Sequence, residues 1–215
     1  MLKFYDIEQN QDEWHAMRAR RLTSSNLGKV MANFGKAFGE PAKKYANEIA
    51  LERITGVACD SGYQNDAMAR GHEEEPIARK AYEDSTFCDV TNGGFFCDEF
   101  IGCSPDGLVD SDGVIEIKSA IPSIHFQRVK SQSFDSAYKW QLIGNLKFTG
   151  REWIDFISFC SAYPEGKKLY VYRLWADKLS DEFSMIDERV SDFLDLVNQS
   201  EQTIIESNYF NNEAI

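Results

Sequence analysis

The chain has 215 residues, of which 43% are hydrophobic and 13% aromatic, and this composition excludes an intrinsically disordered protein. Its 23 Lys and Arg against 35 Asp and Glu give a formal net charge of −12, which argues against a protein that coats DNA unspecifically. A protein of this charge that acts on DNA needs its basic residues gathered where the strand runs. The length fits a single domain, and we expect disorder only at Asn208–Ile215.

The first residues, MLKFYDIEQNQDEW, are mixed and polar, and no window of the sequence approaches the apolar length of a membrane span. The cysteines are scattered and contain no C-x-x-C pair; they are Cys59, Cys88, Cys97, Cys103 and Cys160. This pattern is typical of free thiols in a reducing compartment and disfavours a disulfide framework or a zinc site. We therefore expect a cytoplasmic protein without membrane contacts.

The most basic segment is Met17–Lys29, whose charged residues, with no acid between them, are Arg18, Arg20, Arg21 and Lys29. The pattern predicts a helical turn that starts after Asp12 and passes through Arg18. A second helix follows, capped by Thr23, Ser24 or Ser25. Free N–H groups, hydroxyls and an arginine can bind a phosphate there. The spacing also fits plain capping beside a solvated basic face, and by itself favours that second interpretation.

Two helical patterns follow the basic segment. Pro41–Thr55 is amphipathic and is closed by Gly56; its apolar positions are Tyr45, Ile49, Leu51 and Ile54. Residues 65–87 are helical again, and Pro76 either starts a second helix or kinks one long helix. A run of glutamates at this point usually complements a helix dipole. Glu75, Arg79 and Glu83 nevertheless share one helical face, which makes Glu75 a candidate to face a site.

The centre of the chain predicts a β-hairpin with a cluster of charged side chains. The runs Phe100–Val109 and Gly113–Ser119 read as strands joined by a turn that contains Asp and Gly. Strand alternation projects Glu116 and Lys118 from one face, while Ile115 and Ile117 point to the other. Asp106 is expected close by, across the ladder.

Carboxylate oxygens suit Mg²⁺ or Mn²⁺ better than zinc, and a metal held by one or two carboxylates keeps positions for phosphate oxygens. A lysine beside such a metal can orient an attacking water or help to deprotonate it. Asp106, Glu116 and Lys118 therefore fit metal-assisted phosphodiester hydrolysis. An ordinary ion pair on a solvated hairpin fits this short motif equally well.

The remaining elements predict an α/β layer architecture, with a central mixed sheet flanked by helices on both sides. Cys88–Asp98 supplies a strand or two around a turn at Asn92-Gly93-Gly94. The other predicted elements are helices at Pro122–Lys130, Ser136–Phe148 and Leu179–Ser207 and strands at Glu152–Ala162 and Lys167–Ala176.

Four blocks of residues, in the same order, resemble the lambda exonuclease type of phage recombination nuclease. This is the YqaJ-like viral recombinase family within the PD-(D/E)xK superfamily. The first two blocks are Trp14, Arg18 and Thr23-Ser24-Ser25, then Gly71, Glu75, Ala78 and Arg79. The third is the run CSPDGL at residues 103–108 with Glu116 and Lys118, and the fourth is Tyr138, Gln141, Thr149 and Gly150. The resemblance covers most of the chain.

The resemblance implies a PD-(D/E)xK fold and a metal site built from Asp106, Glu116 and the backbone carbonyl of Ile117. Glu75 would act on a second metal, Lys118 on the attacking water, and Gln141 would lie beside Lys118. A terminal 5′ phosphate would be bound by Arg18, Ser25 and Ser104. A second arginine of the family's pocket has no clean counterpart here, and Lys36 lies nearest; lysine lacks the planar fork of arginine.

The activity implied is an Mg²⁺-dependent 5′-to-3′ exonuclease, with Mn²⁺ as a substitute. It would digest one strand of linear double-stranded DNA and leave 3′ single strands for an annealing protein. The family also implies a homotrimeric ring that threads the DNA. Two alternatives stay open: another nuclease of the superfamily, such as a restriction-type endonuclease, or a non-catalytic module that binds DNA ends. An iron–sulfur exonuclease is disfavoured because only Cys160 follows the hairpin.

Overall fold

The structure is a computed structural model that describes residues 2–59 and 66–207. The predicted disorder at Asn208–Ile215 and the start of the second predicted helix at Asn65 lie outside these residues. The helices are α1 (Asp12–Arg18), α2 (Leu27–Met31), α3 (Glu40–Thr55), α4 (Asp66–Thr86), α5 (Pro122–Ser131), α6 (Lys139–Thr149) and α7 (Ser180–Glu206). The strands are β1 (Lys3–Tyr5), β2 (Leu22–Thr23), β3 (Val90–Thr91), β4 (Phe95–Cys97), β5 (Ile101–Cys103), β6 (Gly107–Val109), β7 (Gly113–Ser119), β8 (Trp153–Phe159) and β9 (Leu169–Trp175).

The strands form two sheets, where the sequence predicted one. The larger sheet has the order β3-β6-β7-β8-β9; β7 and β8 are parallel, and the other pairs are antiparallel. The smaller sheet has the order β1-β4-β5-β2. Its outer strands, β1 and β2, have three and two residues and are too short to show a period in the sequence.

The predicted strand Phe100–Val109 is wrong as one continuous element. It is broken at Ser104-Pro105-Asp106, so β5 pairs in the smaller sheet and β6 in the larger one. A proline lacks the N–H that a ladder position must donate, which favours a break here. The predicted hairpin itself is confirmed for β6 and β7, which pair from Gly107 opposite Ile115 to Val109 opposite Gly113.

Helices cover the two faces of the larger sheet, as the sequence predicted. One core joins the sheet to α2, α3, α6 and α7, through residues such as Val114, Phe156 and Leu146. The other core packs Ala78 and Tyr82 of α4 against the face that carries Ile115 and Ile117. Because side chains alternate along β7, Glu116 and Lys118 project on the α6 face while the isoleucines meet α4.

Most helix bounds match the sequence predictions. Two other details differ: the exposure of two apolar residues of α3, and the helix capping predicted at Thr23-Ser24-Ser25. Helix α3 ends at Thr55, and the next residue, Gly56, has a φ of 72°, the left-handed conformation that terminates helices. Its Leu51 and Ile54, predicted on the buried face, are 42% and 41% exposed. The hydroxyls of Thr23, Ser24 and Ser25 do not cap a helix: a 3₁₀ turn at Ser24–Asn26 precedes α2, and neither it nor α2 has a side-chain cap.

Helix α4 runs without interruption past Pro76, so the sequence alternative of one long helix is the correct one. Within residues 2–59 and 66–207, no helix is both long enough and apolar enough to cross a lipid bilayer. All five cysteines carry free thiols.

Candidate active site

The centre of the site is Glu116 on β7, which is only 1% exposed. Its Oε1 accepts hydrogen bonds from Lys118 Nζ at 2.6 Å and from Gln141 Nε2 at 2.5 Å. Its Oε2 accepts from Asn145 Nδ2 at 2.7 Å. Gln141 and Asn145 lie four residues apart on α6 and therefore share the helical face that meets β7.

Asp106 lies at the strand break and faces the same edge of β7. Its backbone N–H donates to the Ile115 carbonyl at 3.0 Å, and its Oδ2 accepts from the Ile117 N–H at 2.6 Å. Backbone groups two residues apart on a strand point to the same side, so the Ile117 carbonyl also faces Asp106 beyond the end of β6. The sequence prediction that Asp106 lies across the ladder from the Glu116 strand is confirmed.

Glu75 approaches Asp106 from α4. Arg79 lies one turn further on. Its Nη2 forms an ion pair with Glu75 Oε1 at 3.2 Å and also donates a hydrogen bond to the backbone carbonyl of Asp106. Glu83, predicted on the same face, is used differently, since its Oε1 accepts the N–H of Val90 at 3.0 Å. The arginine therefore holds Glu75 at the edge of the cluster.

The carboxylates of the site destabilise one another's charged forms. Burial, followed by repulsion from Asp106, raises the pKa of Glu116 to about 7. Burial and the Asp106 charge likewise raise the pKa of Glu75 to about 7. Burial also raises the pKa of Asp106, although Lys118 and the Ile117 N–H oppose that shift. Such a set of hard oxygen donors, with carboxylates that repel one another, is suited to a divalent cation.

Lys118 carries the nearest positive charge to this set. Burial lowers its pKa, but the Glu116 and Asp106 charges outweigh burial, and the pKa stays above its ordinary value. Its Nζ lies 5.1 Å from the centroid of the Tyr138 ring. These two carboxylates therefore favour the charged ammonium form, which donates a hydrogen bond to Glu116.

The donor set fits Mg²⁺ or Mn²⁺ by its chemistry, because it consists of Asp106, Glu116, the Ile117 carbonyl and Glu75. These oxygens are not gathered into one closed group. Within the described ranges, no three His, Cys, Asp or Glu side chains converge closely enough to hold a metal ion. An ion held by one or two carboxylates keeps several water ligands, and that is the coordination magnesium prefers.

A second feature, the anion pocket, consists of Arg18 and Ser25, with Thr23 and Tyr45 behind them. Arg18 Nη2 donates to Ser25 Oγ at 3.0 Å, and Ser25 Oγ lies 3.1 Å from Thr23 Oγ1. The Arg18 guanidinium stacks on Trp14, 4.1 Å from its ring centroid. Burial lowers the pKa of Arg18, while the Tyr45 and Glu116 charges act in the opposite direction. Arg18 forms no ion pair with any described residue, so its charge is available to an anion.

Ser104 connects the anion pocket to the strand break. Its hydroxyl donates to the Gly94 carbonyl at 2.7 Å and accepts from Trp14 Nε1 at 2.9 Å, and Trp14 in turn supports Arg18. The single hydroxyl proton of Ser104 is thus already donated. A direct bond from Ser104 to a phosphate requires that the bond to Gly94 be given up.

Lys36 makes no side-chain hydrogen bond to the anion pocket. It is exposed in the loop after α2, and its backbone carbonyl accepts from Arg189 Nη1 of α7 at 3.0 Å. Its side chain has no hydrogen bond or ion pair to a described residue, and the structure does not bring it together with Arg18, Ser25 or Ser104.

Comparison with known proteins identifies the family. The YqaJ-like viral recombinase domain matches residues 13–152, which is more than half of the chain. The chain belongs to the YqaJ-like viral recombinase family. A search of curated protein sequences returned no match.

Solved structures agree with this family assignment. An alkaline exonuclease from Laribacter hongkongensis, LHK-Exo, is 30% identical with a TM-score of 0.79, over 91% of this chain and 96% of that one. The same exonuclease in complex with dAMP matches at 31% identity and a TM-score of 0.77, over 90% and 96% of the two chains. A phage-related exonuclease from Haemophilus somnus 129PT shares the fold at 19% identity, with a TM-score of 0.66 over 86% and 96%.

This YqaJ-family site also contains residues that the sequence did not single out. Asn145 is fully buried, accepts a hydrogen bond from Ser24 Oγ and donates one to Glu116. It therefore links Glu116, a candidate metal ligand, to Ser24, which precedes Ser25 of the anion pocket. Its position four residues after Gln141 was the available signal. Gln141 was expected beside Lys118, and both donate to the same Glu116 oxygen. The bonds of Arg79 to Glu75 and to the Asp106 carbonyl had no signal beyond the shared helical face.

Proposed function

We propose that this protein is a 5′-to-3′ exonuclease that uses Mg²⁺, or Mn²⁺ in its place, to digest one strand of linear double-stranded DNA. The observation that carries the proposal is the continuous link between the two features of the site. Glu116 is bonded to Asn145, Asn145 to Ser24, and Ser24 is followed by Ser25 of the anion pocket. A carboxylate site that is joined by hydrogen bonds to an arginine and a serine able to bind phosphate suits an enzyme that cuts next to a bound strand end.

A divalent ion bound by Asp106, Glu116 and the Ile117 carbonyl would activate water and neutralise charge on the scissile phosphate. The protein's own groups then hold the reactants. Lys118, protonated and bonded to Glu116, stabilises negative charge and orients a water molecule through its donors. Glu75 is placed by Arg79 to act toward a second ion, directly or through water. Gln141 fixes the Glu116 carboxylate that the ion requires.

We propose that the anion pocket sets the direction of digestion. Arg18 presents a half-buried guanidinium whose fork suits phosphate oxygens, and Ser25 adds a hydroxyl. We propose that this pocket binds the 5′ phosphate, with Ser104 holding Trp14 beneath Arg18. Lys36 would contribute only from its separate position in the loop, as a point charge.

The structure of LHK-Exo with dAMP supports hydrolysis to mononucleotides, because a deoxynucleoside monophosphate is what such a reaction releases. Digestion of one strand leaves a 3′ single strand, which we propose is passed to a single-strand annealing protein in phage-type recombination. A homotrimeric ring would place the basic pockets inside and the acidic surface outside. That arrangement is compatible with a net charge of −12.

The test uses linear duplexes with a 5′ phosphate or a 5′ hydroxyl, each strand labelled, with Mg²⁺ or with EDTA. At each end of the duplex we expect metal-dependent digestion of the strand that terminates there in its 5′ end. Ends that carry a 5′ phosphate should be digested faster. Digestion of the 3′-ended strand first, activity in EDTA, or cleavage of closed circles would contradict the proposal.

Arg18→Lys tests the pocket, because lysine keeps the charge and loses the fork. One charge-assisted hydrogen bond is worth roughly 1.5–3 kcal/mol, so the preference for phosphorylated ends should fall about 10- to 100-fold. The matched control is Arg20→Lys, an exposed arginine of the same basic segment, which should keep the preference of the parent. An Arg18→Lys enzyme with an unchanged preference would remove Arg18 from end recognition.

A further inference from the structure

Helix α4 is hydrogen-bonded to the carboxyl end of β7 through Glu74, the neighbour of Glu75. Glu74 is 9% exposed, and each of its carboxylate oxygens accepts a serine hydroxyl. Oε2 accepts from Ser119, the last residue of β7, and Oε1 accepts from Ser161, just beyond β8. Arg70 Nε donates to the same Ser119 hydroxyl at 2.9 Å.

A second fastening lies one turn beyond Glu75. Arg79 donates to the backbone carbonyl of Asp106 and pairs with Glu75. Glu75 is therefore flanked by one contact to the carboxyl end of β7 and one contact to the strand break. We refer to these contacts of Glu74 and Arg79 as the α4 clamp.

Pro76 explains why such a clamp is needed at this point. A proline has no N–H, so the carbonyl of His72 loses its usual helical donor, and the ring crowds that turn. The turn that carries Glu75 therefore lacks one helical hydrogen bond. The contacts of Glu74 and of Arg79 outside the helix lie on the two sides of Pro76.

We propose that Glu74 is a positioning residue that fixes Glu75 relative to Asp106 and so sets the affinity of the site for a divalent cation. The inference rests on the proposed function, in which Glu75 acts toward a metal. A carboxylate suits the clamp because it accepts only, and both serines donate. A glutamine at position 74 keeps the volume but turns one acceptor into a donor. The serine opposite that NH₂ can accept from it, but its own hydroxyl proton then loses the acceptor that Glu74 supplies.

The decisive measurement is Mn²⁺ binding by titration calorimetry on four proteins: the parent, Glu74→Gln, Glu75→Gln and the double variant. Loss of a residue that is bonded directly to a metal ligand weakens binding about 10- to 100-fold. Glu74 acts on Glu75 only through the position of α4, so we expect Glu74→Gln to weaken Mn²⁺ binding by up to about 10-fold. If Glu74 acts through Glu75, the double variant binds Mn²⁺ no more weakly than Glu75→Gln alone. Additive losses would overturn the inference, because they would show that Glu74 acts independently of Glu75.

Two further variants separate position from charge and from folding. Glu73→Gln removes the same charge from an exposed neighbour and should bind Mn²⁺ like the parent. Ser161→Ala removes one clamp bond without changing any charge, and it should weaken Mn²⁺ binding in the same direction as Glu74→Gln. Equal losses in Glu73→Gln and Glu74→Gln, or parent-like binding by Ser161→Ala in a folded protein, would overturn the clamp.

The exonuclease assay separates failure of this inference from failure of the proposed function. A parent that digests phosphorylated ends while the Mn²⁺ cycle is additive refutes the clamp and leaves the function standing. A parent that binds Mn²⁺ with the expected cycle but digests no DNA refutes the function and supports the clamp. A parent that neither binds Mn²⁺ nor digests DNA overturns both.

Discussion

Replacing Asn145 by alanine tests the link between the two features of the site. Asn145 is fully buried, donates to Glu116 Oε2 at 2.7 Å and accepts from Ser24 Oγ. Alanine leaves a buried carboxylate oxygen and a buried hydroxyl without partners. Each unsatisfied buried group costs roughly 1–3 kcal/mol, so we expect the free energy of unfolding to fall by about 3 kcal/mol.

For a chain of this size, a loss of that order lowers the melting temperature by roughly 6–12 °C. Equilibrium unfolding in urea, followed by circular dichroism, measures the change in free energy. The exonuclease rate on phosphorylated and hydroxyl ends, measured well below the melting temperature, should fall on both ends. It should fall further on phosphorylated ends, because Ser24 and Ser25 lose their connection to Glu116.

Asn198→Ala is the matched control, because it removes an exposed asparagine that accepts from Arg53 Nη1 at 3.2 Å. A surface change of this kind is expected to stay within about 0.5 kcal/mol. If Asn145→Ala keeps the stability and the end preference of the parent, the hydrogen-bond chain from Glu116 to the anion pocket has no energetic role.

Three other changes test separate parts of the structure. Asp106→Ala should abolish hydrolysis with the circular dichroism spectrum unchanged, and an active variant would remove the strand break from the mechanism. Gly93→Ala would place a Cβ 1.7 Å from the Pro105 carbonyl oxygen, so we expect about 3 kcal/mol of destabilisation in urea, whereas Gly28→Ala, with nothing within 4 Å, should not destabilise. Burial lowers the pKa of His125 in the folded protein, so the stability it contributes is fully present above about pH 6.5, the unfolded value, and is lost as the pH falls from there through the lower folded pKa. In urea unfolding between pH 5 and pH 8, the free energy of unfolding of His125→Gln should fall less at low pH than that of the parent. An identical fall in the two proteins would refute this.

The sequence predicted those parts of the site that depend on local periodicity. Alternation along β7 placed Glu116 and Lys118 together, and a helical turn brought Glu75 and Arg79 to one face. These patterns are visible because the neighbours along a strand or helix are fixed by its geometry.

The parts that depend on contacts between distant segments could not be read in this way. Ser24 and Asn145 are 121 positions apart, and Ser161 and Glu74 are 87 apart. The interpretation of the run of glutamates also needed the structure, because Glu74, beside the candidate Glu75, is the buried member. The break in Phe100–Val109 was missed because β5 and β6 continue the same apolar pattern on either side of Pro105, although they pair in different sheets.

The strand break at Ser104-Pro105-Asp106 fixes the spacing between two residues of the site. Ser104 is anchored to the smaller sheet through Gly94 and to Trp14, while Asp106 is anchored to the larger sheet through Ile117. Only Pro105 lies between them, so their Cα atoms are separated by at most about 7 Å, and the fixed φ of proline restrains this spacing. Covalent geometry therefore fixes how far apart the two sheets hold Trp14's partner Ser104 and the candidate metal ligand Asp106, whatever the base sequence of the DNA.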